Sequence, residues 1–248
     1  MSLTNDFSNE RAQRILTNSI NDDLKIASRA FMVESTVPKY SYNFSWMGRP
    51  IIQYPQDIVA IQEIIWQVKP DLIIETGIAH GGSLILSASL LSLLEICGEI
   101  EHGQVVGVDI DIRQHNRIEI EKHPLSKKIT MLEGSSIAPE IISEVHKIAS
   151  SKKRVMVFLD SNHTHKHVLE ELNLYSPMVS RGSYLVVFDT IVEDLPEKLI
   201  SDRPWSKGNN PKTAVWEFLT DNKDFEIDTN IDNKLLISVG PDGYLRKK

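Results

Sequence analysis

The chain has 248 residues, of which 41% are hydrophobic and 25% charged, an ordinary globular composition that excludes a disordered chain. At this length roughly 70–75% of the unfolded surface is buried on folding, so one α/β domain with a modest appendage needs no disulfide or metal staple. With 34 Asp+Glu against 27 Lys+Arg and a net charge of -7, neither nucleic-acid phosphates nor a membrane surface is an expected partner.

The N-terminus, MSLTNDFSNERAQR, carries acids and no apolar h-region. No run of 18 apolar residues occurs anywhere, so neither a signal peptide nor a membrane span is expected, and a cytoplasmic protein is. Cys97, the single cysteine, ends the apolar run from Leu90, which predicts a small core residue in a reducing compartment.

Residues 1 to about 35 space Ile15, Ile20, Leu24, Ala27 and Phe31 near the helical period, predicting an amphipathic accessory helix. The aromatic, turn-rich stretch from Tyr40 to Pro50 follows, and a boundary near residue 50 divides a helical extension (1–50) from the main domain (51–248). A helix over 55–68 comes next, with Pro55 in its first turn. Short apolar runs then predict strands over 72–76, 105–110, 129–134, 155–160 and 184–189, with helices over 83–97 and 167–175. Runs apolar throughout and alternating with helices predict a doubly wound, mostly parallel sheet covered on both faces. After a loop over 201–212, a helix over 214–219 and strands over 225–228 and 234–240 predict an antiparallel finish.

In such a sheet ligands bind outside the carboxyl ends of the strands, so the residues following each apolar run are the ones to inspect. The first run ends in Glu75-Thr-Gly77-Ile-Ala-His-Gly81-Gly82-Ser83 and opens a helix. Glycines there allow close backbone approach to a ligand, and the helix start offers free N–H groups; a plain strand-to-helix turn is the alternative. Asp109 and Asp111 end the second run, where an acid can accept hydrogen bonds from ribose hydroxyls. Glu133-Gly134-Ser135-Ser136 ends the third, a place for an adenine edge or merely a turn.

The fourth run ends in Asp160-Ser-Asn162-His163-Thr-His165-Lys-His167 and the fifth in Asp189-Thr190. Asp160 and Asp189, on neighbouring strand ends, could share one hard cation, or each could cap the helix after it. His163 would share a helix face with His167 if that helix starts early enough, and it stands beside the metal candidates, where it could take a proton; His165 and His167 read as solvated or capping. No histidine here is followed two residues later by a carboxylate, so the motif of iron oxygenases is absent, as is HExxH.

Several of these pieces occur together in one family: Trp46-Met-Gly48-Arg-Pro50, Lys69-Pro70-Asp71 through Gly77, Gly81-Gly82-Ser83, Gly107-Val-Asp109-Ile-Asp111, Gly134-Ser135-Ser136, Asp160-Ser-Asn162-His163, His167-Val-Leu-Glu-Glu171, Asp189-Thr190 and Pro241-Asp-Gly243. Over residues 40–248 the chain resembles the cephalosporin hydroxylase (CmcI-like) family, a group similar to class I S-adenosylmethionine-dependent O-methyltransferases despite its name. The resemblance implies a seven-stranded Rossmann-like sheet with an antiparallel last strand. It implies S-adenosylmethionine at Glu75, Gly77, Gly81, Gly82 and Ser83, with Asp109 and Asp111 on the ribose side, Ser135 and Ser136 near the adenine, and Asp160 at the cofactor's edge. It further implies magnesium on Asp160 and Asp189, His163 as the base, a sugar or natural-product hydroxyl as acceptor, and a homo-oligomer. The chain departs from the pattern at Phe188, where family members usually carry a second carboxylate.

Chemistry agrees with this division of labour. Displacement at a sulfonium neutralises its positive charge, so the donor needs little activation, whereas an alcohol must lose a proton. A divalent ion and an imidazole both serve that end. The aromatic residues Tyr40 to Trp46 and the loop bearing Trp205 are candidate walls for a sugar, or core packing. Two other classes use similar strand ends. A nicotinamide-dependent oxidoreductase would show GxGxxG in the first loop or a YxxxK pair on a helix, and the first loop lacks the one while no expected helix carries the other; a non-catalytic S-adenosylmethionine-binding partner of another enzyme would tolerate Phe188.

Overall fold

The computed structural model describes residues 3–248, with side chains from Asp6 onward. Met1 and Ser2, which the sequence reading includes in its helical extension, lie outside the described residues. That extension is two helices, α1 (Leu3–Ser19) and α2 (Asp22–Thr36). The break falls at Asn21, whose side chain accepts a hydrogen bond from the Leu24 amide at 3.0 Å and so starts a second helix.

The aromatic stretch then folds into a hairpin of β1 (Phe44–Trp46) and β2 (Arg49–Ile51), turning through Met47 and Gly48, both at positive φ. From there the chain alternates: α3 (Pro55–Val68), β3 (Leu72–Thr76), α4 (Gly82–Ile96), β4 (Gln104–Asp109), α5 (Gln114–Lys122), β5 (Ile129–Glu133), α6 (Pro139–Ala149), β6 (Val155–Leu159), α7 (His165–Tyr175) and β7 (Tyr184–Val187). Helices α5 and α6 had no counterpart among the expected elements. The chain closes with α8 (Pro211–Asp221), β8 (Phe225–Ile227), α9 (Thr229–Leu235) and β9 (Tyr244–Lys247).

The main sheet has the order β5-β4-β3-β6-β7-β9-β8; its first five strands are parallel, and β9 runs antiparallel to both β7 and β8. Side chains alternate between two cores. Ile73, Val105, Met156 and Phe158 face a cluster built with α3 and α4, whereas Leu72, Ile74, Val106, Val157 and Leu159 face one built with α6, α7 and α8. This alternation on strands buried on both faces is why the runs read as continuously apolar. The chain winds outward in opposite directions from β3 and β6, so the crevice of the topological switch lies above their carboxyl ends.

Two sequence expectations are corrected. Residues 234–240 are not a strand: Asp228 accepts a hydrogen bond from the Asn230 amide and starts α9, which places Ile231 and Leu235 against the core. Ser238 and Val239 are then held by the buried Asp57 carboxylate, which accepts the Ser238 hydroxyl at 2.6 Å and the Val239 amide at 3.0 Å. The antiparallel partner of β7 is instead β9, with Tyr184 opposite Arg246. Cys97 is exposed rather than buried, because it caps the carboxyl end of α4, one residue past the helix and beside exposed Ile96.

Candidate active site

Above β3 and β6 opens a cavity of about 290 Å³. The loop after β3 forms its floor through Gly77–His80, with Gly82 and Ser83 at the start of α4; Asp109 enters from β4, and Asp160, Ser161, His163 and Asp189 come from the ends of β6 and β7. Its remaining wall is the N-terminal hairpin region, Ser41, Tyr42 and Pro50–Gln53, together with Val239. Of the expected site residues, Gly77, Gly82, Ser83, Asp109, Asp160, His163 and Asp189 therefore share one cavity. Glu75, Gly81, Asp111, Ser135 and Ser136 do not line it.

The glycine loop is tight against the protein itself. Gly77 has φ +90°, and a Cβ there would lie 2.1 Å from the Asp160 carbonyl oxygen. The loop's turn thus brings β3 and β6 into backbone contact just where the cavity begins. Asp109 clamps the same loop: one carboxylate oxygen accepts the Ile78 amide at 2.8 Å and the Ala79 amide at 3.3 Å, and the other accepts the Asp111 amide at 3.1 Å. Asp111 itself is exposed.

Beneath the loop lies Glu75, 3% exposed. It accepts a short hydrogen bond from Ser83 on one oxygen, and the other is buried with no partner. Burial pushes its carboxyl up to about 8, against a smaller opposing effect from the Ser83 hydroxyl. An unpaired buried carboxylate beside a ligand cavity calls for a cation.

Across the cavity, one ligand atom from each of Asp160, His163 and Asp189 lies within 4.8 Å of the others. His163 Nε2 is 3.2 Å from Asp189 Oδ2, and the Trp205 ring meets the imidazole edge-on at 4.6 Å between centroids. Asp189 is held at φ +55°, a left-handed conformation that aspartate tolerates better than most residues. It makes no capping hydrogen bond to the short helical turn it precedes, and Thr164, not Asp160, precedes α7. The helix-capping alternative is therefore not what these aspartates do. Asp160 is raised well above the ordinary carboxylate range, first by burial and then by the nearby Asp189 and Glu75 carboxylates.

The other two histidines are neither solvated nor capping. His165 bridges α7 to α8, with Nδ1 2.8 Å from the Thr213 hydroxyl and Nε2 3.0 Å from Glu217. His167 Nε2 lies 3.0 Å from the Ser136 hydroxyl and 3.3 Å from that of Ser161, while Ser161 donates to the buried Glu171 at 2.7 Å. Because α7 starts only at His165, His163 and His167 do not share a helix face. Ser136 is thereby drawn into a network behind the cavity, and its carbonyl accepts the Tyr175 hydroxyl at 2.9 Å. Phe188 points into the core, 4% exposed and packed against Phe158 at 6.1 Å between centroids. Of the aromatic wall candidates, Tyr42 lines the cavity and Trp205 packs on His163, whereas Trp46 faces inward and donates to Ser89 at 3.0 Å.

Sequence reasoning missed the struts of the loop. The Arg49 guanidinium donates to the His80 carbonyl at 2.6 Å and to Asn116 at 3.1 Å, and Asn116 donates to the Ala79 carbonyl at 2.9 Å. Pinning these carbonyls away from the cavity fixes the opposite orientation of the loop amides. Arg49→Lys keeps the charge but loses the fork, so a melt is expected to fall by a few degrees, with a cofactor dissociation constant raised roughly threefold to tenfold in calorimetry. The only signal in the sequence was a basic residue inside a short turn.

Comparison with known proteins identifies the family. The family model described as "Rhamnosyl O-methyltransferase/CmcI" matches residues 38–248. The Rhamnosyl O-methyltransferase of Mycobacterium leprae (strain TN) is 28% identical over 153 residues, 61% of this chain and 62% of that protein. Its counterpart in Mycobacterium tuberculosis (strain ATCC 25618 / H37Rv) is 26% identical over 206 residues, covering 81% of this chain and 77% of the relative. Among solved structures, CmcI with magnesium and S-adenosylmethionine superposes with a TM-score of 0.55 at 19% identity, covering 84% of this chain and 77% of that one. The apo form of CalS11, a TDP-rhamnose 3'-O-methyltransferase of calicheamicin biosynthesis, gives 0.50 at 14% identity, covering 79% and 83%; both likenesses are of fold. No helix among the described residues is long and apolar enough to cross a membrane. The match runs through the whole seven-stranded domain, and the chain belongs to the Rhamnosyl O-methyltransferase/CmcI family of S-adenosylmethionine-dependent O-methyltransferases.

Proposed function

We propose that this chain moves the methyl group of S-adenosylmethionine to a hydroxyl of a sugar, either activated or already part of a glycoside. The observation that carries the reading is the convergence on one cavity of the glycine loop and Asp109 from one side and of Asp160, His163 and Asp189 from the other. The names of the relatives supply the acceptor class, a rhamnosyl group in the mycobacterial enzymes and TDP-rhamnose in CalS11.

The residues fit the cofactor. The unpartnered oxygen of Glu75 suits the ammonium of the methionine moiety, and the free amides opening α4 at Gly82 and Ser83 suit its carboxylate. Gly77 and Gly81 shape that loop. Asp109, which lines the cavity, would take ribose hydroxyls, whereas Asp111, Ser135 and Ser136 stand outside it, Ser136 being bonded to His167 behind it.

Asp160 and Asp189 would hold magnesium. That ion accepts one or two carboxylates and fills its shell with water and substrate oxygens, so the donor set suffices although Phe188 is turned into the core. When bound, the ion would make a coordinated hydroxyl more acidic. The chain's own part is deprotonation: the His163 ring nitrogen turned away from Asp189 would accept the acceptor's proton, while Asp189, 3.2 Å from Nε2, orients the imidazole and stabilises its charge. The methyl carbon leaves sulfur as it bonds to oxygen, giving S-adenosylhomocysteine and the methyl ether.

Methyl-labelled S-adenosylmethionine incubated with TDP-rhamnose and with 4-nitrophenyl rhamnoside tests both parts. Label is expected in at least one ether, with the rate falling tenfold or more in EDTA and returning with magnesium. Label in neither sugar would contradict the acceptor class, and a rate indifferent to EDTA would contradict the metal.

A further inference from the structure

Gln53 follows β2 on the turn into α3 and lines the cavity, yet it is only 4% exposed. Its Oε1 is buried without a partner, and neither end of its carboxamide makes a hydrogen bond among the described residues. An unsatisfied buried amide is uncommon enough in a folded protein to need an explanation. Its neighbours Ile51 and Tyr54 are buried in the core, so the turn is anchored on both sides and the amide cannot swing out to water without unpacking them. A carboxamide held dry against an open cavity is prepared for a ligand group that enters that cavity.

Charge decides which group. Gln53 is the residue lining the cavity with an unpartnered buried acceptor, and the orphan oxygen of Glu75 lies just behind it, under Ser83. The cationic end of S-adenosylmethionine is served best by the carboxylate, which leaves the neutral amide for a neutral donor. Gln53 belongs to the wall made by Ser41, Tyr42, Ile52 and Val239, and the same cavity holds Asp189 and His163. We infer that Gln53 is a specificity-determining residue: its carboxamide oxygen accepts a hydrogen bond from a hydroxyl of the sugar other than the one methylated, and so selects the acceptor and its register. This inference rests on the sugar-methylating reading above.

Gln53→Met keeps the side-chain length and removes both polar ends. Wild type and variant are titrated with S-adenosylmethionine, then with TDP-rhamnose and 4-nitrophenyl rhamnoside in the presence of S-adenosylhomocysteine, and finally with the monodeoxy forms of whichever sugar binds. The variant is expected to bind the parent sugar about tenfold to a hundredfold more weakly and to bind one particular deoxy sugar as well as wild type does. Its affinity for S-adenosylmethionine stays within twofold, and its melting temperature in the absence of ligand does not fall. The inference is overturned if the variant binds the parent sugar as wild type does, if parent and all deoxy sugars weaken alike, or if the loss falls on S-adenosylmethionine. It is also overturned if the unliganded variant melts markedly lower, since Gln53 would then have been satisfied by the protein. Wild type that binds neither sugar overturns the sugar reading itself and Gln53's role with it, an outcome distinct from a variant that merely matches a sugar-binding wild type.

Discussion

His163→Ala is expected to lower kcat by about 10²–10⁴-fold while leaving the dissociation constant of S-adenosylmethionine within twofold. That range is what a positioned base contributes to proton transfer, and it corresponds to roughly 3–5 kcal/mol of transition-state stabilisation. The separation of effects follows from the architecture. His163 sits on the β6 end next to Asp189, 3.2 Å away, whereas the cofactor loop is held by Asp109, Arg49 and Asn116, none of which touches the imidazole. Single-turnover rates together with calorimetric binding check both halves. A variant with unchanged kcat would remove His163 from the chemistry, and one that also loses the cofactor would show that the ring is a structural support.

Glu75→Gln is expected to raise the stability of the unliganded protein at alkaline pH and to weaken S-adenosylmethionine binding. Burial lifts the folded-state carboxyl from its ordinary 4.5 to about 8. A folded pKa above the unfolded one means that the protonated group is favoured by folding. The contribution is therefore complete below pH 4.5 and is lost as pH rises through 8, and wild-type stability declines across that window for this reason. The full separation between the two values bounds the effect at about 5 kcal/mol. Glutamine, which never ionises, escapes the decline, so the variant should melt close to wild type near pH 4.5 and several degrees higher at pH 9. The orphan oxygen would no longer meet the cofactor's ammonium with a charge, and losing a charge-assisted contact costs about 1.5–3 kcal/mol, or tenfold or more in affinity. Thermal melts across pH, followed by calorimetry, check both signs. A variant less stable at pH 9 would mean that the ionised carboxylate is satisfied in the fold.

The strand-end logic succeeded because it depends on the backbone alone. Runs such as Val155–Leu159 are buried on both faces, so a polar residue at or just past the ends of β4, β6 and β7 emerges into the crevice, although the end of β5 does not reach it. Asp109, Asp160 and Asp189 were found that way. Where tertiary contacts decide, the sequence was misleading. The run from Lys234 to Gly240 has a strand's composition, but Asp57, nearly two hundred residues earlier, binds Ser238 and Val239 and leaves no ladder for them. The true last strand, Tyr244–Lys247, carries Arg246 and Lys247 and presents little apolar signal. Ser136 and His167 looked like a turn and a solvated side chain because the residues that join them, Ser161 and Glu171, come together only when α7 packs beneath β6. Gln53 has no periodic signature at all: its meaning comes from a turn folded over the start of α4, where a Cβ on Gly82 would meet the Pro50 carbonyl at 2.2 Å.

The most direct test of the account is a calorimetric titration of S-adenosylmethionine into wild type and Glu75→Gln side by side at pH 7.5. The account predicts one site per chain in the wild type and an affinity at least tenfold weaker in the variant. No binding to wild type, or equal binding to both proteins, would contradict the placement of the cofactor over Glu75 from which the rest of the mechanism follows.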